Sequence, residues 1–264
     1  MRVAVTGSTC AIASHVVAGL SSAGYTVIET GGSTSNIWRL GQEFPLGLDA
    51  DALIHLAHDR SLTVKQNIQA ASLLCTSFKG PKIFLSSFSA HSKSLSRYGK
   101  SKFAMEDLFN KSNGASIRAG VVYGNQVGGI FEQLENFIAK LPIIPVILRG
   151  HPLLFTSHID DLVFEILSKL RAVDGQTTFA AHPKPITLKN LCIEISHSGG
   201  FQKPFLFIPK QPIDSIARLL IRVIPNFQLM DSLLSMSCEV SYGELSKLKV
   251  PETTFRPFSL SSKN

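Results

Sequence analysis

Short apolar runs alternate with longer segments of helical spacing along the first half of the chain. The apolar runs predict strands at 2–6, 25–30, 52–57, 82–87 and 115–121, and the longer segments predict helices near 11–23, 61–77 and 98–112. Strands that alternate with helices form a parallel sheet, and ligands bind at the carboxyl ends of its strands. The pattern therefore predicts an α/β domain with a doubly wound parallel sheet.

The regular alternation of apolar runs and helical segments ends near residue 150, where prolines become frequent. Helical spacing then recurs at 159–171, 187–197 and 212–223, mixed with short apolar runs at 177–180 and 204–208. We expect a dinucleotide-binding domain over 1–150 and a smaller carboxy-terminal substrate lobe over 151–264, from which the chain returns to the main sheet. The polar last residues, 251–264, are expected to lie loosely on the surface.

A glycine turn joins the first predicted strand to the first predicted helix. The strand is Arg2–Thr6, the turn begins at Gly7, and helical spacing starts at Ile12. In a Rossmann-like sheet this arrangement places the pyrophosphate of a dinucleotide at the amino terminus of the helix. The start of the chain therefore predicts a dinucleotide site.

A tyrosine and a lysine lie four residues apart at the start of the helix near 98–112. The spacing places Tyr98 and Lys102 on one face, and a cation beside a phenol favours the phenolate. Ser87 closes the preceding apolar strand, where its hydroxyl can hold a carbonyl or alcohol oxygen. These three residues predict a device for proton transfer.

Several motifs together resemble the extended branch of the short-chain dehydrogenase/reductase superfamily, which contains NAD-dependent nucleotide-sugar epimerases, dehydratases and 4-keto reductases. The matching stretches are Thr6-Gly7, Leu53-Ile-His-Leu-Ala57, Asn67, Ser87 with Tyr98 and Lys102, Arg118-Ala-Gly-Val-Val-Tyr-Gly124, and His158-Ile-Asp-Asp-Leu-Val163. The resemblance runs along most of the chain. It implies an enzyme that acts on a nucleotide-linked sugar with NAD or NADP as cofactor.

The resemblance also implies a set of site residues, and no metal. Ser87, Tyr98 and Lys102 are the expected catalytic residues. The expected cofactor-binding residues are Gly7, Thr9, Cys10, Ala11, Ile12, Arg39, Leu56, Ala57, Tyr98 and Lys102. The expected substrate-binding residues are Ser87, Ser89, Tyr123 and Gly124.

Three positions depart from the pattern of the family. The second and third glycines of the family's cofactor loop fall on Cys10 and Ala13 of this chain. The third position needs only a small residue, because helix and strand pack closely there, and Ala13 is small enough. A side chain at Cys10 occupies the place where the backbone approaches the pyrophosphate. Leu154 stands where sugar epimerases of this family commonly have an arginine that contacts the nucleotide.

The end of the second strand carries the signal for cofactor choice. Gly31 and Gly32 replace the acid that holds the ribose in NAD enzymes, which removes a repulsion against the 2′-phosphate of NADP. The nearby basic residues are Arg39 and Arg60, and Trp38 is placed to pack on an adenine beside Arg39. We therefore expect NADP to bind at least as well as NAD.

Composition narrows the choice of partners. The net charge is +7 and the pI about 9.3, but the basic residues are dispersed, which argues against nucleic acid and fits a phosphate-rich small ligand. No run reaches the length of a membrane span, although Ile213–Ile224 is amphipathic and is either a core helix or a peripheral contact with a membrane or partner. The four cysteines lack metal-ligand spacing and indicate a reducing cytoplasm.

Two functions remain open from the sequence. The first is an NAD(P)-dependent oxidoreductase or epimerase, a monomer or homodimer, that reduces a 4-keto sugar or epimerises at carbon 4 with Tyr98 as the acid/base. The alternative is a non-catalytic nucleotide-binding or scaffold protein whose glycine-rich loop has decayed at Cys10.

Overall fold

The computed structural model of the protein describes residues 1–31, 38–45, 49–94, 96–148, 153–200, 203–209, 245 and 247–260. Its helices are α1 (Ala13–Ser22), α2 (Val64–Ser77), α3 (Arg97–Lys111), α4 (Gly129–Lys140), α5 (Ile159–Arg171) and α6 (Leu188–Ser198). Its strands are β1 (Arg2–Thr6), β2 (Thr26–Thr30), β3 (Ala52–His55), β4 (Lys82–Ser87), β5 (Gly114–Ala119), β6 (Val121–Tyr123), β7 (Ile144–Leu148), β8 (Leu153–Leu154), β9 (Thr156–His158), β10 (Thr177–Ala180), β11 (Ile186–Thr187) and β12 (Phe205–Pro209).

A parallel sheet of six strands forms the centre of the described structure. Its order is β10-β5-β4-β3-β1-β2. Alternate residues of β1 face opposite sides, so Val3 and Val5 join one apolar cluster with α1 and α5 while Ala4 joins another with α2 and α3. Both faces of the sheet are thus covered, and the predicted doubly wound α/β fold is confirmed.

The second strand lies at the edge of this sheet. Residues 38–45 and 49–51, the described part of the connection from β2 to β3, contain neither helix nor strand. Trp38 and Phe44 are buried there, and they pack into the cluster beneath α2 and α3. The described part of the connection therefore contributes buried aromatic side chains to the core on this face of the sheet.

The residues after β5 build a second region around three pairs of short strands. β6 pairs with β9, β7 with β12 and β8 with β11, and α4 packs on α6. However, α5 packs against α1, and β10 pairs with β5 in the main sheet. Elements on both sides of residue 150 therefore share the central layers, and the division into 1–150 and 151–264 stays a prediction.

The described part of the carboxy-terminal segment packs firmly, which contradicts the expectation of a loose surface tail. Phe255 is 3% exposed and belongs to the same apolar cluster as β1. The Arg256 guanidinium donates to Asp161 on α5 at 2.6 Å, and Tyr123 donates its hydroxyl to the carbonyl of Pro257 at 2.9 Å. The polar composition misled because one buried aromatic and one charged pair are enough to fix the segment.

Other expectations concern residues that the structure describes only in part. The amphipathic stretch Ile213–Ile224 and Cys238 lie outside the described residues. The described cysteines, Cys10, Cys75 and Cys192, carry free thiols. Within the described ranges no helix is both long and apolar enough to cross a membrane.

Candidate active site

A cavity of about 300 Å³ opens at the carboxyl ends of the central strands. It lies between the turn after β1, the ends of β3, β4 and β5, the start of α3, and the loop before α4. Its lining residues are Cys10, Ala11, Ile12, Leu56, His58, Arg60, Leu85, Ser86, Ser87, Phe88, Tyr98, Lys102, Ala119, Gly120, Val121, Val122, Val127, Gly128 and Gly129. The three residues of the predicted proton-transfer device are thus brought to one wall.

The glycine turn forms the cofactor side of this cavity. Gly7 has a φ of +76°, and a Cβ there would approach the backbone nitrogen of Ala57 to 2.6 Å, so only glycine suits the turn. The Cys10 amide donates to the Gly7 carbonyl at 2.9 Å, and α1 begins at Ala13 with no acidic residue in its first turn. The positive end of α1 therefore meets the cavity without a carboxylate to compete for an anion.

Cys10 lies at the position where the family has its second glycine. Its side chain is partly buried and packs against the core around β1 while also lining the cavity. Burial raises the pKa of this thiol, and the neighbouring charge of Lys102 acts in the opposite direction. The thiol form is therefore favoured at neutral pH.

A serine cap and a glycine position the start of α3. Ser96 accepts a hydrogen bond from the Gly99 amide at 2.9 Å, which satisfies one free donor of the first turn. A Cβ on Gly99 would collide with the Ser94 hydroxyl and the Ser89 carbonyl, so this glycine lets the helix approach the loop that follows β4. Tyr98 is thereby set next to the end of that strand.

Lys102 lies one turn after Tyr98 and is 2% exposed. Its Nζ donates to the Leu85 carbonyl at 2.7 Å, and it lies 4.5 Å from the centre of the Phe84 ring and 5.7 Å from that of Tyr98. Burial lowers the pKa of Lys102 to about 7, although the nearby Cys10 and Glu106 oppose this shift. The predicted cation is therefore present beneath the phenol, but only part of the population is charged near neutral pH.

Three serines at the end of β4 have different partners. The Ser86 hydroxyl donates to Glu106 at 2.6 Å and is therefore committed to the interior. The hydroxyls of Ser87 and Ser89 lie 3.1 Å apart; Ser87 is half-buried and lines the cavity, whereas Ser89 is fully buried outside its lining. Of the three hydroxyls, that of Ser87 is placed to meet a substrate oxygen.

A buried ion pair fixes α3 to the sheet. Arg118 on β5 donates Nε and Nη2 to the two oxygens of Glu106, each at 2.7 Å, and both side chains are about 5% exposed. Burial raises the pKa of Glu106, while its bonds from Arg118 and Ser86 act in the opposite direction. Such a bidentate pair with an added hydroxyl holds the helix at a defined distance from β4 and β5.

Two histidines, one at the end of β3 and one shortly after it, differ in role. His55 is fully buried, stacks on Phe84 and Phe109, and has its pKa lowered to about 3 by burial, so it is a neutral core residue. His58 lines the cavity, bonds to the Ser101 hydroxyl at 2.9 Å and contacts Tyr98 edge-on at 4.8 Å. Burial and the nearby Lys102 lower its pKa to about 2, so His58 is also neutral.

The remaining predicted residues fall in several places. Leu56 lines the cavity, whereas Ala57 supports the Gly7 turn from behind. Thr9 is exposed outside the lining, and so is Arg39. Tyr123 and Gly124 are also outside it. Roles for these residues in binding stay predictions.

One interpretation of the cofactor side needs correction. Trp38, expected to pack on an adenine, is 3% exposed and donates its indole nitrogen to the Gln42 carbonyl at 3.2 Å within the core. Arg60, considered for the adenosine side, is exposed, lines the cavity and lies over the ring of Tyr98, with its Cζ 5.0 Å from the ring centre, so its contact with adenosine stays a prediction. The position of a loop residue in the sequence does not show which neighbours its side chain contacts.

A further wall of the cavity is formed by three residues that were not among the expected site residues. Val127, Gly128 and Gly129 line it from the loop before α4, a helix that the apolar pattern did not predict. Gly128 has a φ of +66°, and a Cβ there would approach that of Ala11 to 2.8 Å. The adjacent glycines were the available signal, since paired glycines mark a loop with close backbone contacts.

The residues at this site suit a nicotinamide dinucleotide. Among the described lining residues, Arg60 and Lys102 are basic and none is acidic, and the amino terminus of α1 adds positive potential. The buried Nδ1 of His58 has no hydrogen-bond partner among the described groups, which leaves a polar atom available at the cavity wall. The described residues of the chain contain no group of three or more His, Cys, Asp or Glu side chains that could hold a metal ion.

Comparison with known proteins gives a clear answer at the level of the fold. No family model matches the sequence, and no curated protein matches it. Solved structures do match: a UDP-glucose 4-epimerase from Thermotoga maritima, solved with UDP-glucose, has a TM-score of 0.62 and 19% identity over 79% of this chain and 86% of that chain.

Two further structures have similar scores. A dTDP-glucose 4,6-dehydratase from Bacillus anthracis, solved with NAD, has a TM-score of 0.65 and 14% identity over 80% of this chain and 85% of that chain. A dTDP-4-dehydrorhamnose reductase from Clostridium acetobutylicum has a TM-score of 0.64 and 14% identity over the same shares. The predicted Rossmann-like fold is thereby confirmed: this chain is similar in fold to these nucleotide-sugar epimerase, dehydratase and reductase structures.

Proposed function

We propose that this protein is an NAD(P)-dependent enzyme that reduces a 4-keto group of a nucleotide-linked sugar, or epimerises such a sugar at carbon 4. The main support is the convergence of Ser87, Tyr98 and Lys102 on one cavity that also borders the turn of Cys10–Ile12. The proteins of similar fold act on UDP- and dTDP-sugars according to their names, which favours this substrate class.

The cofactor supplies hydride transfer to or from the sugar carbon. Tyr98 supplies the proton: its phenol oxygen donates to the carbonyl oxygen during reduction and accepts from the hydroxyl during oxidation. Ser87, the half-buried hydroxyl at the end of β4, donates a hydrogen bond to the same oxygen and orients it toward the phenol. Both residues line the cavity that also borders the turn of Cys10–Ile12, where the dinucleotide is proposed to bind.

Lys102 adjusts the charge around the phenol. In its ammonium form it stabilises the phenolate of Tyr98, and an anion bound in the cavity favours that form because opposite charges raise the pKa of a lysine. Proton transfer and the binding of an anionic ligand are therefore coupled through this side chain.

Binding is the first test of the proposal. Thermal shift with NAD, NADP, UDP-glucose and dTDP-glucose should show a higher melting temperature with a dinucleotide, because a ligand that binds the folded state stabilises it. No shift with either dinucleotide at millimolar concentration would remove the proposed function.

Turnover is the second test. Tyr98→Phe should lower turnover by about 10²- to 10⁴-fold, the usual contribution of an acid/base group, while the dinucleotide affinity stays the same. Tyr25→Phe is the matched control, since Tyr25 lies away from the cavity at the end of α1. A dinucleotide that binds without any turnover of the sugar panel would favour a non-catalytic nucleotide-binding protein, which the side chain at Cys10 makes the second candidate.

A further inference from the structure

The loop after β3 is fixed by hydrogen bonds on both sides of Arg60. Asn67 on α2 donates to the Asp59 carbonyl at 2.8 Å and to the Thr63 carbonyl at 3.2 Å. Arg97 at the start of α3 donates to the Leu62 carbonyl at 3.2 Å. The loop is therefore tied to both helices, and Arg60 is presented toward the cavity by a constrained backbone.

This presentation sets a guanidinium over the catalytic phenol. The Cζ of Arg60 lies 5.0 Å from the centre of the Tyr98 ring, closer than the Nζ of Lys102 at 5.7 Å. Both basic residues line the cavity. A guanidinium at this distance interacts favourably with an aromatic face, and more so when the ring carries negative charge.

We propose that Arg60 is a positioning residue that acts through Tyr98: its guanidinium, held over the phenol ring, stabilises the phenolate that proton transfer requires. The role of Arg60 in proton transfer rests on the proposed function. Its effect on the ionisation of the Tyr98 phenol is expected in the ligand-free protein as well.

Three basic groups lie near the Tyr98 ring, and they differ in whether they carry a positive charge in alkaline solution. His58 contacts the ring edge-on, but its pKa of about 2 keeps it neutral. Burial lowers the pKa of Lys102 to about 7, although Cys10 and Glu106 oppose this shift, so Lys102 loses its charge as the pH rises through that value. An arginine side chain is not deprotonated in proteins. Of these three groups, Arg60 is therefore the one that places a positive charge beside the Tyr98 ring at high pH.

Ultraviolet titration of tyrosinate absorbance in the ligand-free protein tests this directly. The chain has four tyrosines, and subtracting the curve of Tyr98→Phe isolates the phenol of interest. A unit charge about 5 Å away in a largely aqueous setting is worth roughly 0.5 to 1 pH unit, so Arg60→Gln should raise the pKa of Tyr98 by about that amount. Arg60→Lys should keep most of the wild-type value because it keeps the charge.

Lys100→Gln is the matched control, since Lys100 is exposed on α3 two residues from Tyr98 and outside the cavity lining. Removal of its charge should leave the pKa of Tyr98 unchanged. An unchanged value in Arg60→Gln, or an equal rise in Lys100→Gln, would overturn the proposal. A rise specific to Arg60→Gln supports it even if no dinucleotide binds, so this proposal and the proposed function fail separately.

With a confirmed substrate, the alkaline limb of the pH–rate profile provides a second measurement. Arg60→Gln should move the limb that reports Tyr98 to higher pH by the same amount as the absorbance titration, and Arg60→Lys should not. A uniform loss of rate at every pH, without movement of that limb, would show that Arg60 has only a structural role.

Discussion

Replacement of Lys102 by methionine should make the protein more stable at neutral pH while removing its proposed activity. The side chain is 2% exposed, and burial lowers its pKa from 10.5 to about 7. Because the protonated form is less favourable inside the folded protein than in the unfolded chain, folding is opposed at any pH where the unfolded lysine is charged. Methionine has a similar volume and no charge to bury.

The magnitude follows from the two pKa values. The unfolded chain binds more protons than the folded one between pH 7 and 10.5, so the free energy of unfolding of the wild type rises with pH across that window. At about 1.4 kcal/mol per pH unit, the penalty is about 4 kcal/mol near pH 7 and about 1 kcal/mol near pH 10. Loss of the hydrogen bond to Leu85 and of the contact with Phe84 offsets about 2 to 3 kcal/mol of this. Lys102→Met should therefore be about 1 to 2 kcal/mol more stable near neutrality and less stable than the wild type near pH 10.

Urea unfolding of both proteins near these two pH values measures the difference in free energy. Lys100→Met provides the control, because Lys100 is exposed on the same helix and its replacement removes no buried charge. A Lys102→Met protein that is less stable at both pH values, or a difference that is the same at both, would refute the reasoning. Functional residues commonly reduce stability in this way.

Three further predictions concern the cofactor loop, the connection from β2 to β3 and the carboxy-terminal segment. Cys10→Gly should tighten dinucleotide binding in calorimetry if the side chain crowds the pyrophosphate; equal or weaker binding would show that the loop has adapted to cysteine. Arg39→Ala should weaken NADPH binding with little effect on NADH, and equal affinities for NADPH in the two proteins would exclude the contact. Phe255→Ala should lower the free energy of unfolding by about 3 to 5 kcal/mol, because Phe255 is buried beside β1; a loss below about 1 kcal/mol in urea unfolding would mean that the segment is only loosely attached.

The regular part of the fold could be predicted from the sequence because its strands and helices have clear periods. The apolar runs at 2–6 and 82–87 match β1 and β4, and the pattern at 159–171 matches α5. The helix over Gly129–Lys140 was missed because the adjacent glycines Gly128 and Gly129 stand at its start and mark a loop. The loop before this helix forms a wall of the cavity, and its residues 127–129 were not among the expected site residues.

The sequence predicted the site residues whose place at the end of a strand or the start of a helix determines that they face the cavity. Ser87, Tyr98 and Lys102 line one cavity because the end of a strand and the start of the next helix meet at one edge of a parallel sheet. The neighbours of Trp38 and Arg60 could not be predicted, since loop residues choose their contacts through tertiary packing. The neutral state of His58 likewise follows from burial beside Lys102 and Arg60, which no local pattern reveals.

The burial of Phe255 against the first strand has a consequence for how the chain folds. Val3 and Phe255 lie in one apolar cluster although about 250 residues separate them along the chain. The chain loses entropy when so long a loop closes, and it loses this entropy before the contacts of Phe255 can stabilise the fold. Contacts between residues so far apart in the sequence slow folding. During translation the apolar cluster around Val3 therefore cannot be completed until the residues near 255 have been synthesised.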